Sequence, residues 1–472
     1  MKNLFKTTSS FLVFLMMLTL DSSAELYPRA PDVLPGTTAE MRDPAFWIAR
    51  MEKPDEVILT LQKIHRMNEE YIERVSAPDP FGNETKERVP NLSYYWPGRA
   101  LFILDLESLS PEALRDTVKT RIQDCIDHLR KQEYGNILAV EYSDSDIDEF
   151  ESEMALDSVK GITLRDGIAV RHTNLKNVPT LTPDKMGMRE NGKSRWDLFC
   201  FGILKIGKPV TVLHRSKSGE YVFVQCEIGY GWVKSIDIAF GSKREIDSYA
   251  NARDFILCTG DRVAFYSDND CAYASGSFRM GDRLPLAAKD NPRLVKVPVR
   301  LMSGKFITET AWLAKNADVH VGFLPYTRRN VIVTAFKLLD NVYDWTGAWL
   351  GRQHEATYRD IFCCFGFELP YYGSLFTFFN RNDERVLLPD VGQEEKYKIF
   401  LDHEPFITLQ KCNGHAQLYI GEYNGTPIVL DTHGYGYEDE SGTFVEVRRF
   451  CICTPSLPGY FLTYKVTFLV LK

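Results

Sequence analysis

The chain has 472 residues, of which 44% are hydrophobic, and its formal net charge is −8 at pH 7. A chain of this length and apolar content can bury several cores, so we expect three to four domains. The acidic balance, with no basic tract, argues against nucleic acid or an anionic membrane surface as a partner. The 10 cysteines show no C-x-x-C metal spacing, and the adjacent Cys363 and Cys364 are expected to be buried free thiols.

The first 24 residues have the three parts of a secretory signal peptide. Lys2 and Lys6 supply the charged part, "FLVFLMMLTL" the apolar part, and small residues ending at Ala24 the cleavage site. We therefore expect an exported protein of the periplasm or cell envelope, with an uncleaved anchor as the alternative. No later apolar run approaches the about 20 residues of a membrane span, so no span is expected after signal removal.

Residues 25–154 carry helical patterns. The stretch "MRDPAFWIARMEKPDEVILTLQKIHRMNEEYIERV" has a proline near its start and places Val57, Leu61, Ile64 and Met67 at helical spacing. The stretch "SPEALRDTVKTRIQDCIDHLRKQ" predicts a second helix. Its apolar stripe consists of Leu114, Val118, Ile122, Cys125 and Leu129. Stripes of this kind pack in cores, so we expect these helices to dock on the rest of the protein.

From about residue 155 the apolar period changes to two. "KPVTVLHRSKSGEYVFVQCEIGYGWVKSIDIA" indicates short strands joined by Ser-Gly and Gly-Tyr-Gly turns. A similar run follows, from "DFILCTGDRVAFYSD" to "MGDRLPLAAKDNPRLVKVPVRLMSGKFI". The two consecutive runs predict two small β-barrels, in residues 155–247 and 248–324.

Residues 325–472 begin with helical patterns and then change to an antiparallel hairpin. "RRNVIVTAFKLLDNVYDW" and "EATYRDIFCCFGF" predict helices, and "HAQLYIGEYNGTPIVLDT" predicts a hairpin that turns at Asn424-Gly425. Helices followed by an antiparallel sheet indicate an α+β domain. The predicted fold class is therefore an α+β multidomain protein with a helical N-terminal segment and two β-barrels ahead of this domain.

Three polar residues of the last region could form a site. His354 stands at the start of a predicted helix, His415 begins the first hairpin strand, and Asp431 ends the second. A helix N-terminus stabilises a thiolate, a histidine moves the proton, and a third polar group orients the imidazole, so this arrangement is typical of thiol catalysis. A two-residue turn would pair Leu418 with Asp431 and aim Asp431 away from His415, whereas a three-residue loop with a bulge would give them a common face.

Several longer phrases allow a comparison with a known family. "DPAFWIARMEKPDEVIL", "GKPVTVLHRSKSGEYVFVQCEIGYGWV", "TGDRVAFY" with "MGDRLPLAAKD", and "VYDWTG" with "RDIFCCFGFELP" and "GHAQLYIG" are in the chain in this order. The chain thereby resembles the exported NlpC/P60 cell-wall cysteine peptidases. The resemblance implies a signal peptide in 1–24, an N-terminal stabilising segment in 25–154, bacterial SH3-like domains (SH3b1 and SH3b2) in 155–247 and 248–324, and a papain-like NlpC/P60 domain in 325–472.

The resemblance also implies a substrate class and site positions. The family cleaves the γ-D-glutamyl–diaminopimelate bond of peptidoglycan stem peptides. Its Arg-Asp-Cys-Ser motif falls on residues 352–355, so His354 takes the nucleophile position. His415 matches the general base, and Asp431 takes the third, orienting position, where the family commonly has histidine.

Four further residues take the family's substrate-binding positions. Tyr343 and Trp345 match the aromatic entry to the site, although "YDWTG" lacks one of the usual glycines. Gln353 and Glu355 replace the aspartate and serine that help to hold the substrate's amine in the family. The resemblance therefore leaves the general base in place but changes the nucleophile and its two neighbours.

Other residues are not expected to supply the missing thiol chemistry. On an α-helix, Cys363 would lie about 180° around and roughly 13 Å along from His354, and Cys364 would lie farther away. Cys412 is expected in a loop before His415, on the wrong side of the imidazole. His354 itself is expected to be neutral at a helix N-terminus and a poor nucleophile toward amides.

We therefore expect a catalytically inactive relative of the family. It would bind stem peptides, or another peptide or protein ligand, in a groove between the SH3-like and papain-like domains, without a cofactor. One alternative is an active stem-peptide hydrolase, which would need an unrecognised nucleophile such as a cysteine within reach of His415. Another is a Zn²⁺ site of His354, His415 and Asp431 with an open position for water, which requires the three to converge within about 4 Å of one point. A purely structural role is the remaining alternative.

Overall fold

The computed structural model describes residues 29–76, 104–131, 134–135, 140–180, 188–189, 197–345, 347, 349, 351–370, 379, 385–387, 392–412, 415–434, 436–457 and 466–472. The predicted signal peptide lies outside these residues. None of the described helices is both long and apolar enough to cross a bilayer.

The described residues form eight α-helices. They are α1 Pro44–Ile48, α2 Leu61–Ser76, α3 Pro111–Lys131, α4 Asp144–Met154, α5 Lys243–Ala250, α6 Arg328–Phe336, α7 His354–Cys363 and α8 Gln393–Leu401. Side-chain caps occur at several of the starts, of which two serve as examples. Asp43 accepts a hydrogen bond from Ala45 N ahead of α1, and Ser143 forms a capping box with Asp146 at α4.

The first predicted helical stretch is broken between α1 and α2. Val57, expected on the helical stripe, lies between the two helices, is 53% exposed, and forms an isolated bridge with Thr327. Pro54 interrupts the stretch, and Lys53 before it has a positive φ of 51°. A proline inside a helix removes a hydrogen bond and clashes with the preceding turn, which explains why one long helix does not form.

Helix α3 matches its predicted stripe. All five apolar residues of the stripe are buried, and they pack in one core with Phe223 and Trp232 of the first β unit described below. Helices α1 and α2 pack elsewhere, because Trp47 and Ile64 belong to the core of the C-terminal region. The N-terminal helices thus contact two different parts of the protein.

The first β unit is a seven-stranded antiparallel sheet. Its order is β5-β3-β8-β7-β6-β2-β9, and β1 pairs separately with β4. The strands are β1 Tyr134–Gly135, β2 Arg165–Ala169, β3 Thr173–Lys176, β4 Met188–Arg189, β5 Cys200–Leu204, β6 Pro209–Arg215, β7 Tyr221–Cys226, β8 Gly229–Lys234 and β9 Ile238–Phe240. Strand β7 is buried along its whole length because apolar cores lie on both faces of the sheet.

The second β unit consists of two small antiparallel sheets around one core. The sheet orders are β13-β10-β16 and β12-β11-β15-β14. The strands are β10 Phe255–Cys258, β11 Arg262–Tyr266, β12 Ala274–Arg279, β13 Arg283–Pro285, β14 Leu294–Arg300, β15 Phe306–Leu313 and β16 Val319–Val321. Ile256 from one sheet and Phe278 and Val295 from the other share this core.

The C-terminal region is built on a six-stranded antiparallel sheet of order β17-β24-β18-β19-β20-β23. Its strands, with the small β21–β22 pair, are β17 Arg385–Leu387, β18 Thr408–Cys412, β19 His415–Tyr423, β20 Thr426–His433, β21 Gly436–Glu438, β22 Phe444–Glu446, β23 Arg449–Cys453 and β24 Val466–Val470. Tyr358 and Ile361 of α7 pack with Leu418 and Leu430 of the sheet. The region is α+β, as predicted.

A buried charged cluster joins α7 to both β units. Asp360 of α7 contacts Lys205 Nζ at 2.5 Å and Arg352 Nε at 2.8 Å. Lys205, which follows β5, also lies 3.2 Å from Asp282 of the second unit, and Asp282 contacts His172 Nε2 at 2.7 Å. Because these side chains come from all three regions, their ion pairs fix the start of α7 relative to both β units.

Candidate functional site

His354 is the first residue of α7, where the sequence predicts a helix start. Gln353 is the N-cap, with extended backbone angles, but its side chain makes no capping hydrogen bond. The His354 side chain is 5% exposed. The imidazole is therefore placed at a buried helix N-terminus.

The β19–β20 hairpin turns at the predicted residues. Asn424 and Gly425 have φ of 51° and 77°, and Tyr423 pairs with Thr426 across them. Two positive φ values are what a two-residue I′ turn requires, and Asn-Gly is the preferred pair for it. The turn itself is therefore the two-residue type and not a three-residue loop.

A β-bulge farther along the hairpin changes the register. It lies between Tyr419 and Gly421, and beyond it Gln417, not Leu418, stands opposite Asp431. The expectation that a two-residue turn would aim Asp431 away from His415 is therefore wrong. The extra residue of the bulge shifts the pairing by one position, which moves side chains to the other face of the sheet.

His415 lies between His354 and Asp431. Its Nδ1 is 3.2 Å from His354 Nε2, and its Nε2 is 2.9 Å and 3.0 Å from the two Asp431 carboxylate oxygens. Gln417 Nε2 donates to the same carboxylate at 3.0 Å. All four side chains are buried. The structure thus brings together the three residues singled out from the sequence and adds Gln417, which the sequence analysis missed.

Tyr343 completes the contacts of His354. Its hydroxyl is 3.2 Å from His354 Nε2, and the ring centroids are 4.9 Å apart. A backbone bridge to Arg352 places Tyr343 beside the helix start. Gly434 leaves room for the ring, since a Cβ there would lie 2.6 Å from Tyr343 Cε1. The aromatic residue predicted at the entry is therefore a direct neighbour of the cluster.

The other predicted binding residues flank the cluster. Trp345 is half-buried and packs against both cores of the first β unit. Gln353 and Glu355 are buried on either side of His354 in the chain, with side-chain exposures of 4% and 6%. Trp345 therefore lies at the boundary between the C-terminal region and the first β unit, and Gln353 and Glu355 are buried next to His354 in the chain.

Asp344 organises the loop before α7, a role that the sequence analysis missed. Its carboxylate accepts hydrogen bonds from the backbone N–H groups of Gly347, Trp349 and Gly351 at 3.1, 2.8 and 3.0 Å. Asp344 follows Tyr343 in "YDWTG", and no pattern in that phrase marks its carboxylate as an acceptor for the later amides. The carboxylate closes this loop on itself next to the site.

Burial opposes charge on every titratable group of the cluster. Burial lowers the pKa of His415 to about 3. Burial, together with the nearby His415, lowers the pKa of His354 well below its ordinary value. Burial also raises the pKa of Asp431, although His433, His354 and the hydrogen bond from Gln417 act in the opposite direction. Neutral imidazoles are therefore favoured at this site.

Cys453, Cys363 and Cys364 lie away from the nucleophile position. Cys453 Sγ is 3.9 Å from Asp431 Oδ2, behind the carboxylate, and burial raises its thiol pKa. Burial also raises the thiol pKa of Cys363 and of Cys364 at the far end of α7. Cys412 is not in a loop as expected, because it ends β18 and pairs with His415. The Cys412 side chain lies outside the described residues.

The metal alternative meets its geometric requirement. One ligand atom each from His354, His415 and Asp431 lie within 4.8 Å of one another. Some point therefore lies within ~2.8 Å of all three atoms, compared with about 2.0–2.2 Å for nitrogen and carboxylate ligands of Zn²⁺. The three groups therefore converge, with His415 directing Nδ1 toward His354 and Nε2 toward Asp431.

Comparisons with known proteins address the fold. The sequence profile of an SH3 domain of the SH3b1 type matches residues 189–234, which include β5 to β8. A solved structure described as a novel NlpC/P60 endopeptidase from Photobacterium damselae subsp. piscicida is 15% identical, with a TM-score of 0.69, and the match covers 94% of this chain and 98% of that chain. The chain has the fold of that endopeptidase.

Two further comparisons add no argument about function. An NlpC/P60 family protein from Bacillus cereus ATCC 10987 is 18% identical with a TM-score of 0.42, and the match covers 65% of this chain and all of that one. No curated protein matches the sequence significantly. The SH3b1-type match and the structural similarity together show one SH3-like domain within an NlpC/P60-like fold.

Proposed function

We propose that this chain is an exported peptidoglycan-peptide-binding protein, an inactive relative of the γ-D-glutamyl-L-diamino acid endopeptidases. The observation that carries the proposal is the position of His354. It starts α7 and lies 3.2 Å from Nδ1 of His415, where the resemblance places the nucleophilic cysteine. By the same resemblance, His415 takes the position of the general base and Asp431 takes the position of the residue that orients it.

The chemistry of this arrangement favours loss of hydrolysis. A cysteine peptidase attacks with a thiolate that its histidine and a helix N-terminus stabilise. His354 offers only an imidazole, which is a weak nucleophile toward an amide. The 2.9 Å contact between His415 and Asp431 supports a retained base position that has no thiol to deprotonate.

The binding role rests on the aromatic residues beside the cluster. Trp345 packs against the cores of the first β unit while its neighbour Tyr343 contacts His354, so this segment lines the boundary between the two regions. Trp349, in the loop held by Asp344, is 57% exposed. Gln353 and Glu355 are buried. We therefore expect a bound peptide to contact mainly the aromatic side chains, and to make few contacts with Gln353 and Glu355.

An assay with three forms of the protein tests the proposal. The natural protein, His354→Cys and His354→Ala are incubated with L-Ala-γ-D-Glu-diaminopimelate, and release of L-Ala-γ-D-Glu is measured together with peptide binding by calorimetry. We expect binding without release for the natural protein and His354→Ala, and release by His354→Cys. Release by the natural protein would overturn the loss of activity. Absence of peptide binding by all three forms would overturn the binding role.

A further inference from the structure

The two imidazoles face each other in a way that suits a shared cation. His354 Nε2 and His415 Nδ1 are 3.2 Å apart, and the ring planes are inclined by 71°. Two nitrogen ligands at about 2.0–2.1 Å from a tetrahedral Zn²⁺ ion lie ~3.3 Å apart. The observed separation therefore matches two ligands of one ion as well as it matches a hydrogen bond.

One of the two possible directions of this hydrogen bond leaves a buried nitrogen unsatisfied. If His354 donates from Nε2 to His415, its Nδ1 is a bare acceptor. This Nδ1 is buried beside the Thr432 main chain and has no well-aligned hydrogen bond in the described part of the chain. A cation on Nε2 instead places the proton on Nδ1, where the Thr432 main chain can accept it. Buried polar atoms without partners are costly, so the second arrangement removes a penalty.

In this arrangement His415 binds the ion through Nδ1, and its other nitrogen, Nε2, has the partner that metal-binding histidines commonly have. It lies 2.9–3.0 Å from the Asp431 carboxylate, which Gln417 also contacts. Metal-binding histidines commonly donate their other N–H to a carboxylate, which fixes the tautomer and the ring orientation. The carboxylate also supplies negative charge close to the cation. Tyr343 Oη, 3.2 Å from His354 Nε2, lies at a distance that a third ligand atom would have.

We propose that His354 Nε2 and His415 Nδ1 bind a divalent first-row transition-metal ion, with Asp431 holding His415 in the ligand orientation. Imidazole ligands suit Zn²⁺ and its neighbours in the series, and the remaining positions are open to water or to Tyr343. The site goes beyond the proposed peptide-binding function and does not depend on it. A cysteine at position 354 would offer a thiolate ligand, so the replacement of the nucleophile by histidine preserves the capacity to coordinate.

Titration of the metal-free protein with Zn²⁺ alone tests this site. We expect one equivalent to bind, measured by calorimetry, and the same site to give the visible absorption of tetrahedral Co²⁺. His354→Ala and His415→Ala are expected to bind at least about 100-fold more weakly, and Asp431→Asn about 10- to 100-fold more weakly. His354→Cys should retain binding. His320→Ala, which changes a histidine of β16, is the matched control and should bind as the natural protein does.

The unfolding temperature of each variant shows whether it is folded, and the change of that temperature with Zn²⁺ reports binding. Zn²⁺ should raise the unfolding temperature of the natural protein, His354→Cys and His320→Ala, because it binds only the folded state, but not that of His354→Ala. Absence of stoichiometric binding to the natural protein would overturn the proposal. Undiminished binding by both alanine variants at the cluster would also overturn it. Since no peptide is present, either result leaves the peptide-binding proposal to its own assay.

Discussion

Gln417 stands directly opposite Asp431 in the β19–β20 ladder, one position away from the pairing that the Asn424-Gly425 turn would impose alone. The bulge between Tyr419 and Gly421 makes this difference. As a result, the Gln417 amide and the His415 imidazole both reach the Asp431 carboxylate. A local irregularity of the backbone thus determines whether the cluster can form.

The bulge is expected to depend on Gly421. Its φ of 129° is a conformation that other residues rarely adopt, and a Cβ there would lie 3.1 Å from the Trp47 ring. Gly421→Ala should lower the free energy of unfolding by about 2–4 kcal/mol, measured by urea denaturation.

Gly425→Ala is the matched control for this change. Gly425 also has a positive φ, 77°, but nothing lies within 4 Å of a Cβ built there. We expect a cost of only about 1 kcal/mol, from backbone strain alone. Equal costs for the two variants would contradict a role for the contact between the bulge and Trp47.

The loop before α7 should loosen when its carboxylate is removed. Asp344→Ala leaves the amide groups of Gly347, Trp349 and Gly351 without their acceptor, so their hydrogen exchange should become faster. Asp344→Asn keeps one side-chain oxygen and should give intermediate rates. Unchanged exchange in Asp344→Ala would show that the carboxylate does not hold the loop.

The sequence predicted the features that depend on neighbouring residues. The stripe of α3, the start of α7 at His354 and the turn at Asn424-Gly425 each follow from spacing or turn chemistry within a few residues. These local signals were enough to place His354, His415 and Asp431 in one region of the fold.

Features that depend on long-range packing were not predictable in the same way. The turn type fixes the register only until an extra residue intervenes. Gly421 supplies a positive φ at the bulge, and Trp47, from the other end of the chain, packs beside it. The ion pairs of Asp360 with Lys205 likewise join segments that no local pattern relates. The hydrogen bonds that Asp344 accepts from three later backbone amides follow from no pattern in the sequence.

The buried charged cluster predicts how stability depends on pH. Burial alone would raise the pKa of Asp360, but Lys205, Arg352 and Arg279 outweigh burial and hold the pKa below its usual range. The folded-state pKa is therefore lower than the value of about 3.9 in the unfolded chain. The stabilisation is fully present well above pH 4 and is lost as the pH falls toward the folded-state pKa.

Asp360→Asn tests this dependence. The variant should lose about 3–5 kcal/mol at neutral pH, because buried cations lose their partner, and its unfolding free energy should fall less steeply below pH 4. Asp55→Asn removes an exposed partner of Arg329 and should change the stability little. A pH dependence identical to that of the natural protein in Asp360→Asn would contradict the assignment.

The thiol introduced by His354→Cys should be reactive without any substrate. A thiol at the start of α7, beside His415, should have a pKa below the ordinary value of about 8.5, because the helix N-terminus favours the thiolate and the neutral imidazole of His415 can accept the thiol proton. Alkylation by iodoacetamide should therefore remain fast near pH 7. The half-buried Cys363 and the buried Cys364 and Cys453 should give a slow background, since burial raises the pKa of each thiol.

The double variant His354→Cys with His415→Ala separates the two causes. It keeps the helix N-terminus but lacks the imidazole, so its alkylation at pH 7 should fall toward that of an ordinary thiol. Equal rates for the single and double variants would show that His415 does not activate the thiol. Fast, His415-dependent alkylation would instead support the view that the site retains the geometry of a cysteine peptidase and lacks only the thiol.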